Sequence, residues 1–145
     1  INAEYGIQTN ASVVQKCAQM QLGKPYQQYA SGPTAFDTMG LIQYCLKAAK
    51  INMFLPWNAS EFCKNQANTT KITEAVPGDI VCYSKLIVET GYKLNAVGIY
   101  NGIKMLGNYQ QISIIHVSEN SETVREKIRS ADSYFDQYSI YKYFK

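Results

Sequence analysis

The chain of 145 residues carries one histidine. That scarcity excludes any mechanism built on a histidine pair and any zinc site built on several imidazoles. No apolar run approaches the ~20 residues needed to cross a bilayer as a helix, so no transmembrane segment is expected. There is no C-x-x-C pair, which removes the zinc-knuckle and thioredoxin-like readings. No glycine run is followed by the Lys and Ser/Thr that would cradle a phosphate. Charge is thin, with 14 Lys+Arg against 11 Asp+Glu and a net +3. A surplus this small and this dispersed does not imply a nucleic-acid partner. Nothing in the sequence calls for a metal or a cofactor.

What is present fits a globular chain, with 46% hydrophobic and 17% charged residues. The length suits a single domain spanning 1–145, long enough to bury roughly two-thirds of its unfolded surface. The four cysteines, Cys17, Cys45, Cys63 and Cys82, are even in number and permit two disulfides. Free cysteine is among the most buried residue types, so the expectation is buried free thiols. Three N-x-S/T triplets occur, at Asn10, Asn58 and Asn68. They matter only for a chain that enters a secretory pathway. The chain begins at Ile1, which suits a processed chain or a trimmed one.

The first half has helical periodicity. Asn10-Ala11-Ser12 offers capping oxygens ahead of the apolar stripe Val13, Val14, Cys17, Ala18 and Met20–Leu22. Gly23-Lys24-Pro25 ends that helix. Tyr26 to Phe36, with Gly32-Pro33 inside it, reads as a loop. Asp37 or Thr38 caps a second helix, whose apolar positions Leu41, Ile42, Cys45, Leu46 and Ala49 make one wide face. Pro56 opens a third, short helix running through Glu61 to Gln66.

The second half changes to strand signals. Ile80–Tyr83 and Ala96–Tyr100 are short β-branched runs. Asn101-Gly102 reads as a tight hairpin turn, with Lys104–Leu106 returning. Ile112–Val117 and Ile140–Phe144 are further strands, and Glu122–Ser130 reads as a short helix. Helices followed by an antiparallel sheet make an α+β arrangement. Twelve tyrosines are present, and Tyr134, Tyr138, Tyr141 and Tyr143 gather near the end. Their spacing suits a strand alternating in and out.

Five segments in order resemble the NlpC/P60 family of papain-like cysteine peptidases. They are Gly23-Lys24-Pro25-Tyr26; Gly32 through Phe36-Asp37-Thr38-Met39-Gly40-Leu41; Leu55-Pro56; Pro77-Gly78-Asp79-Ile80-Val81; and Ala96-Val97-Gly98-Ile99-Tyr100. They match the family's G-x-P-Y, F-D-C-S-G-L-V, L-P-R, P-G-D-L-V and H-V-G-I-Y, over roughly Val13 to Leu106. The resemblance implies a papain-like α+β fold. It also implies amide-bond hydrolysis, chiefly in peptidoglycan stem peptides, by a thiolate, a base and an orienting polar group.

The residues that do this chemistry are absent from the matching positions. Thr38 stands where the family has its cysteine, and a helix dipole cannot ionise a hydroxyl near neutral pH. Ala96 stands where the family has its histidine. Gly107 aligns with the third group, which in the family follows on the next strand in a pattern like G-N-G-K-M-I-H. The sequence therefore reads as a pseudoenzyme, with no catalytic residue and degenerate positions Thr38, Ala96 and Gly107. Tyr26, Asp37, Thr38, Met39 and Trp57 are the candidate binding residues. Tyr26 and Asp37 keep residue types that border the family's nucleophile and hold a stem-peptide amine. Trp57 replaces the arginine after L-P and Phe62 a later glutamine, so a basic rim becomes aromatic, with Met39 pushing the same way.

The resemblance implies a peptidoglycan stem peptide, a muropeptide or a protein partner as ligand, and a secreted or cell-surface location. A second reading keeps an active peptidase with a relocated pair drawn from Cys45, Cys82 and His116. A third is a structural assembly module.

Overall fold

The computed structural model describes residues 10–51, 55–58, 61–62, 76–87, 92–118, 121–130 and 136–141. Helix α1 spans Asn10–Met20. It buries Val14, Cys17 and Ala18 at the i, i+3, i+4 spacing of one helical face. A turn follows it and ends at Gly23, whose φ of +91° suits a residue without Cβ. Helix α2 spans Thr38–Ala48 and is capped by Asp37, extended at φ −84° and ψ 165°, whose carboxylate accepts from Met39 N. Such a cap contributes about 1 kcal/mol. Leu41, Ile42, Cys45 and Leu46 form the expected buried face. Full burial of each large aliphatic side chain contributes about 2 kcal/mol.

Five strands follow: β1 (Ile80–Ile87), β2 (Tyr92–Leu106), β3 (Tyr109–His116), β4 (Arg125–Ser130) and β5 (Asp136–Tyr141). They form one antiparallel sheet in the order β4-β3-β2-β1-β5. Ile80, Cys82, Val97, Ile99, Ile115 and Val117 pack with both helices into the core. The alternate positions Val81, Tyr100 and Ile114 are buried too. That explains why these strands read as continuous apolar runs rather than as in–out alternation.

The architecture is the expected α+β one, and three local expectations are corrected. Asn101-Gly102 is not the hairpin turn. β2 runs straight through it, and the register with β3 shifts between Tyr100 and Gly102 as a bulge. Gly102 has φ +105°, the positive φ that also marks a turn. The turn lies at Gly107-Asn108, so Lys104–Leu106 continues β2 instead of returning. Residues 125–130 are strand β4, not helix. Val124, Glu126 and Ile128 alternate with Arg125 and Lys127 at period two, and the charges suit the outermost strand of a sheet. Of the expected third helix, Glu61-Phe62 are helical but Pro56 does not open it: residues 55–58 are not helical, and Asn58 caps the turn by accepting from Glu61 N at 3.0 Å. Residues 63–66 and 142–144 of the expected elements lie outside the described residues.

The bulge presents Asn101 to α1 and to β4. Its Oδ1 accepts from Gln15 Nε2 (3.1 Å) and Gln19 Nε2 (2.9 Å). Its Nδ2 donates to Ser113 Oγ (3.2 Å) and Glu126 Oε2 (3.3 Å). Glu126 also accepts from Ser113 Oγ and pairs with Lys104 Nζ at 2.6 Å. The Lys104 bond first, then the Ser113 bond, hold the Glu126 carboxyl below its ordinary value of 4.5. A carboxyl lowered in the folded state adds stability that is present above its unfolded value and is lost as pH falls through the folded value. Glu126→Gln is therefore expected to be less stable than the parent at pH 7. The gap should close as the pH drops below 4.5. Urea unfolding across a pH series checks this, and a gap independent of pH would contradict it.

Candidate functional site

The site is built where α2 begins. Phe36 N donates to Pro25 O (3.0 Å), Gln27 N to Phe36 O (3.0 Å) and Asp37 N to Ala30 O (2.7 Å). These bonds fold the 25–37 loop back on itself, bury Phe36 and deliver Asp37 to the helix start. The Asp37 carboxylate is turned inward and is 7% exposed. One oxygen accepts from Met39 N (3.3 Å) and the other from Tyr29 N (2.9 Å). Asp37 thus holds the helix and the loop together. Gly40, on the first turn of α2, lets the Ala30–Ser31 backbone lie directly on the helix.

Thr38 opens α2, half-buried, and its Oγ1 donates to Val117 O at 2.7 Å. The hydroxyl is thereby committed to the backbone just beyond β3. His116, the residue before Val117, ends β3. A Cβ built on Gly98 would lie 3.3 Å from His116 Cβ. Val97, Ile99, Ile115 and Val117 all enter the helix-packed core. His116 therefore shares the Gly98 face of the sheet, the one turned away from that core. Ala96 lies two residues before Gly98 on β2. The first residue of α2, the end of β3 and this part of β2 thus meet at one end of the sheet.

Gly107 does not join them. It occupies the β2–β3 turn at φ +62°, nine residues from His116, or about 30 Å along an extended strand. The longer hairpin displaces the alignment that made Gly107 the third position. The sequence signal for the alternative is the I-H ending of the family's third-group pattern, which recurs as Ile115-His116.

Two residues expected on the rim lie in the core. Met39 is 2% exposed and packs in the central cluster, as does Phe62. Helix geometry explains Met39, since it falls three residues before Ile42 and seven before Leu46 on the face that α2 buries. Tyr26 is half-buried against the same cluster. Trp57 is on the surface, 47% exposed. Its ring meets that of Tyr29 edge-on, with centroids 5.5 Å apart and planes at 88°. Tyr29, which no sequence motif marks, is 64% exposed. Its positive φ of 63° is unusual for a bulky residue, and its anchorage by Asp37 follows from the folded loop alone.

The expectation of free thiols is overturned. Cys17 and Cys45 form a disulfide that joins α1 to α2, with Cα atoms 5.5 Å apart. Cys82 is disulfide-bonded as well. Helical periodicity and apolar runs placed these residues inside, but burial does not distinguish a thiol from a cystine. Cys63 lies outside the described residues. A cystine sulfur is not a thiolate, so neither Cys45 nor Cys82 is available as a relocated nucleophile. Among the described residues, no helix is long and apolar enough to cross a membrane, and no cluster of side chains suits a metal ion.

Comparison with known proteins covers most of the chain. The NlpC/P60 family profile matches residues 23–141. The probable endopeptidase p60 of Listeria innocua is 37% identical over 95 residues, which is 64% of this chain and 18% of that protein. The Listeria grayi counterpart is 37% identical over 87 residues, 59% of this chain and 15% of that one. The chain thus spans less than a fifth of the length of these curated relatives. Among solved structures, NlpC2 from Trichomonas vaginalis superposes with a TM-score of 0.68 at 24% identity, covering 97% of this chain and 49% of that one. RipD from Mycobacterium tuberculosis superposes with a TM-score of 0.61 at 20% identity, covering 95% of this chain and all of that one. RipD is described as a non-catalytic NlpC/p60 domain protein adapted to peptidoglycan binding.

Proposed function

The chain belongs to the NlpC/P60 family, and on that premise we propose that it is a non-catalytic member that binds peptidoglycan fragments at the start of α2. The observation that carries this reading is Thr38. The position at which the family's chemistry needs a thiolate holds a hydroxyl, and that hydroxyl is spent on Val117 O. A hydroxyl donating to a buried backbone carbonyl has no base to take its proton. Ala96 offers none either. His116 is close along the sheet, but a base without a nucleophile leaves little turnover. The cystines at Cys17–Cys45 and Cys82 support the same reading by removing candidate substitutes. They also favour an oxidising compartment, outside the cell or at its surface.

Within this proposal Tyr26, Asp37 and Thr38 form the wall and floor of the site, and Trp57 its rim. Asp37 acts by fixing the loop and not by meeting a ligand amine, because its carboxylate is buried on Tyr29 N and Met39 N. RipD gives a precedent for a domain of this fold that is non-catalytic and adapted to peptidoglycan binding.

Two measurements on the same preparation test the proposal. Purified protein is incubated with stem peptides and muropeptides, and the mixture is followed by mass spectrometry. The same protein is also sedimented with insoluble peptidoglycan. The expected result is retention on the polymer with no new peptide or muropeptide species over time. Time-dependent cleavage that persists through successive purification steps would overturn it, and so would failure to sediment.

A further inference from the structure

Tyr29 stands out on three counts. It is a bulky side chain at φ +63°, a left-handed region that non-glycine residues seldom adopt. That conformation is held by a buried carboxylate through its backbone N–H. Yet the ring it carries is mostly in water and gains little from burial. Its neighbour is Trp57, also exposed, with the two rings set edge to face. An observed backbone outlier that displays an aromatic pair beside the family's site points to a ligand contact.

The surroundings select the chemistry of that ligand. Residues 25–36 and 55–58, the described segments that carry the two rings, contain no charged side chain. They contain exposed amides at Gln27, Gln28 and Asn58, of which Asn58 already accepts from Glu61 N through its Oδ1 at 3.0 Å. Of the charges that flank these segments, Lys24 and Asp37 are engaged elsewhere, and the exposed Glu61 and Glu122 are carboxylates that would repel those of a stem peptide. Lys24 Nζ donates to Gln21 Oε1 (2.6 Å) and Pro33 O (2.9 Å), and Asp37 is turned inward. A stem peptide carries carboxylates and an amine, and recognising them calls for opposite charge. An uncharged sugar ring offers an apolar C–H face to an aromatic plane, and hydroxyls and N-acetyl groups to neighbouring amides.

We propose that Tyr29 and Trp57 form a stacking platform for an uncharged, N-acetylated oligosaccharide, with Gln27, Gln28 and Asn58 supplying hydrogen bonds around it. This deepens the reading of the site as one that binds peptidoglycan, by assigning contact to the glycan and not to the peptide. Asp37 serves as the positioning residue that holds Tyr29 in place.

Trp57 is the only tryptophan in the chain, so fluorescence excited beyond the absorption of its twelve tyrosines reports on this platform alone. The full chain is titrated with the tetrasaccharide of N-acetylglucosamine, and separately with a stem peptide that lacks sugar. The expected result is a saturable blue shift with the tetrasaccharide and none with the peptide. Tyr29→Gly suits the positive φ and preserves the fold. It should weaken the tetrasaccharide response at least tenfold, while Tyr29→Phe keeps it. Thermal melts of both variants verify folding. No shift at millimolar tetrasaccharide, a shift with peptide alone, or an unchanged affinity in folded Tyr29→Gly would overturn the inference. If the protein still sediments with peptidoglycan in those cases, the non-catalytic binding role stands and only the glycan assignment falls.

Discussion

Gly40→Ala is expected to destabilise the protein by about 3 kcal/mol, although glycine-to-alanine inside a helix ordinarily stabilises. The helical gain is real and amounts to about 1 kcal/mol. It is outweighed by what the new methyl group would meet. A Cβ on Gly40 would overlap Ala30 O, and it would stand 2.9 Å from Ala30 C and 3.1 Å from Ser31 Cα. These are backbone atoms, so no rotamer change relieves the clash. Either the 25–37 loop lifts off α2 or the first turn of α2 unwinds. Overpacking of this kind typically costs 1–3 kcal/mol and more where the neighbour cannot move. Lifting the loop would also loosen Asp37 N→Ala30 O and the carboxylate bond to Tyr29 N. The melting temperature should fall by roughly 10 °C, at a few degrees per kcal/mol for a chain of this size. Calorimetry checks the first effect. The oligosaccharide titration checks the second, because the loop that carries Tyr29 would no longer be fixed. An unchanged or raised melting temperature would contradict the close approach of loop and helix.

The same glycine illustrates what sequence reveals and what it does not. Asp37 as a cap and the Leu41, Ile42, Cys45, Leu46 face were legible because helix boundaries and periodicity are local properties. The α+β order and the runs at Ile80–Tyr83 and Ala96–Tyr100 were legible for the same reason. Asn101-Gly102 misled because a positive φ serves a bulge as well as a turn, and only the pairing of β2 with β3 distinguishes them. That single difference moved the hairpin to Gly107-Asn108 and brought His116, not Gly107, to the end of the sheet near Thr38. Residues 125–130 misled because a charged outer strand carries few apolar residues to announce its period. Within the proposed site, Thr38 and Trp57 were visible as departures from the family's pattern. Met39 was misplaced because adjacency in sequence to Thr38 says nothing about which way a helical side chain points. Tyr29 was invisible because its significance lies in a backbone angle and a distant carboxylate.

Removing the Cys17–Cys45 bridge has the other large expected effect. The bridge closes a loop of sequence separation 28. Restricting the unfolded chain over that span contributes roughly 3–4 kcal/mol in the chain-entropy description. Both cysteines are buried, so Cys17→Ala/Cys45→Ala adds a small packing loss to the entropic one. A total near 4 kcal/mol is expected, which is a large part of the 5–15 kcal/mol that holds a typical domain folded. Urea unfolding separates the contributions. A longer, unlinked denatured chain exposes more surface, so the m-value should rise while the midpoint falls. Reductant acting on the parent protein should lower the midpoint in the same direction. The consequence reaches the site through α2. Cys45 ties the middle of that helix to α1, while Asp37, Thr38 and Gly40 at its start hold the loop that displays Tyr29. If α2 is positioned by the bridge, the double variant should also lose oligosaccharide affinity under conditions where it is still folded. If α2 is held by its apolar face alone, affinity should survive and only stability should fall. A stability loss under about 1 kcal/mol with an unchanged m-value would show that the two sulfurs are not linked in solution.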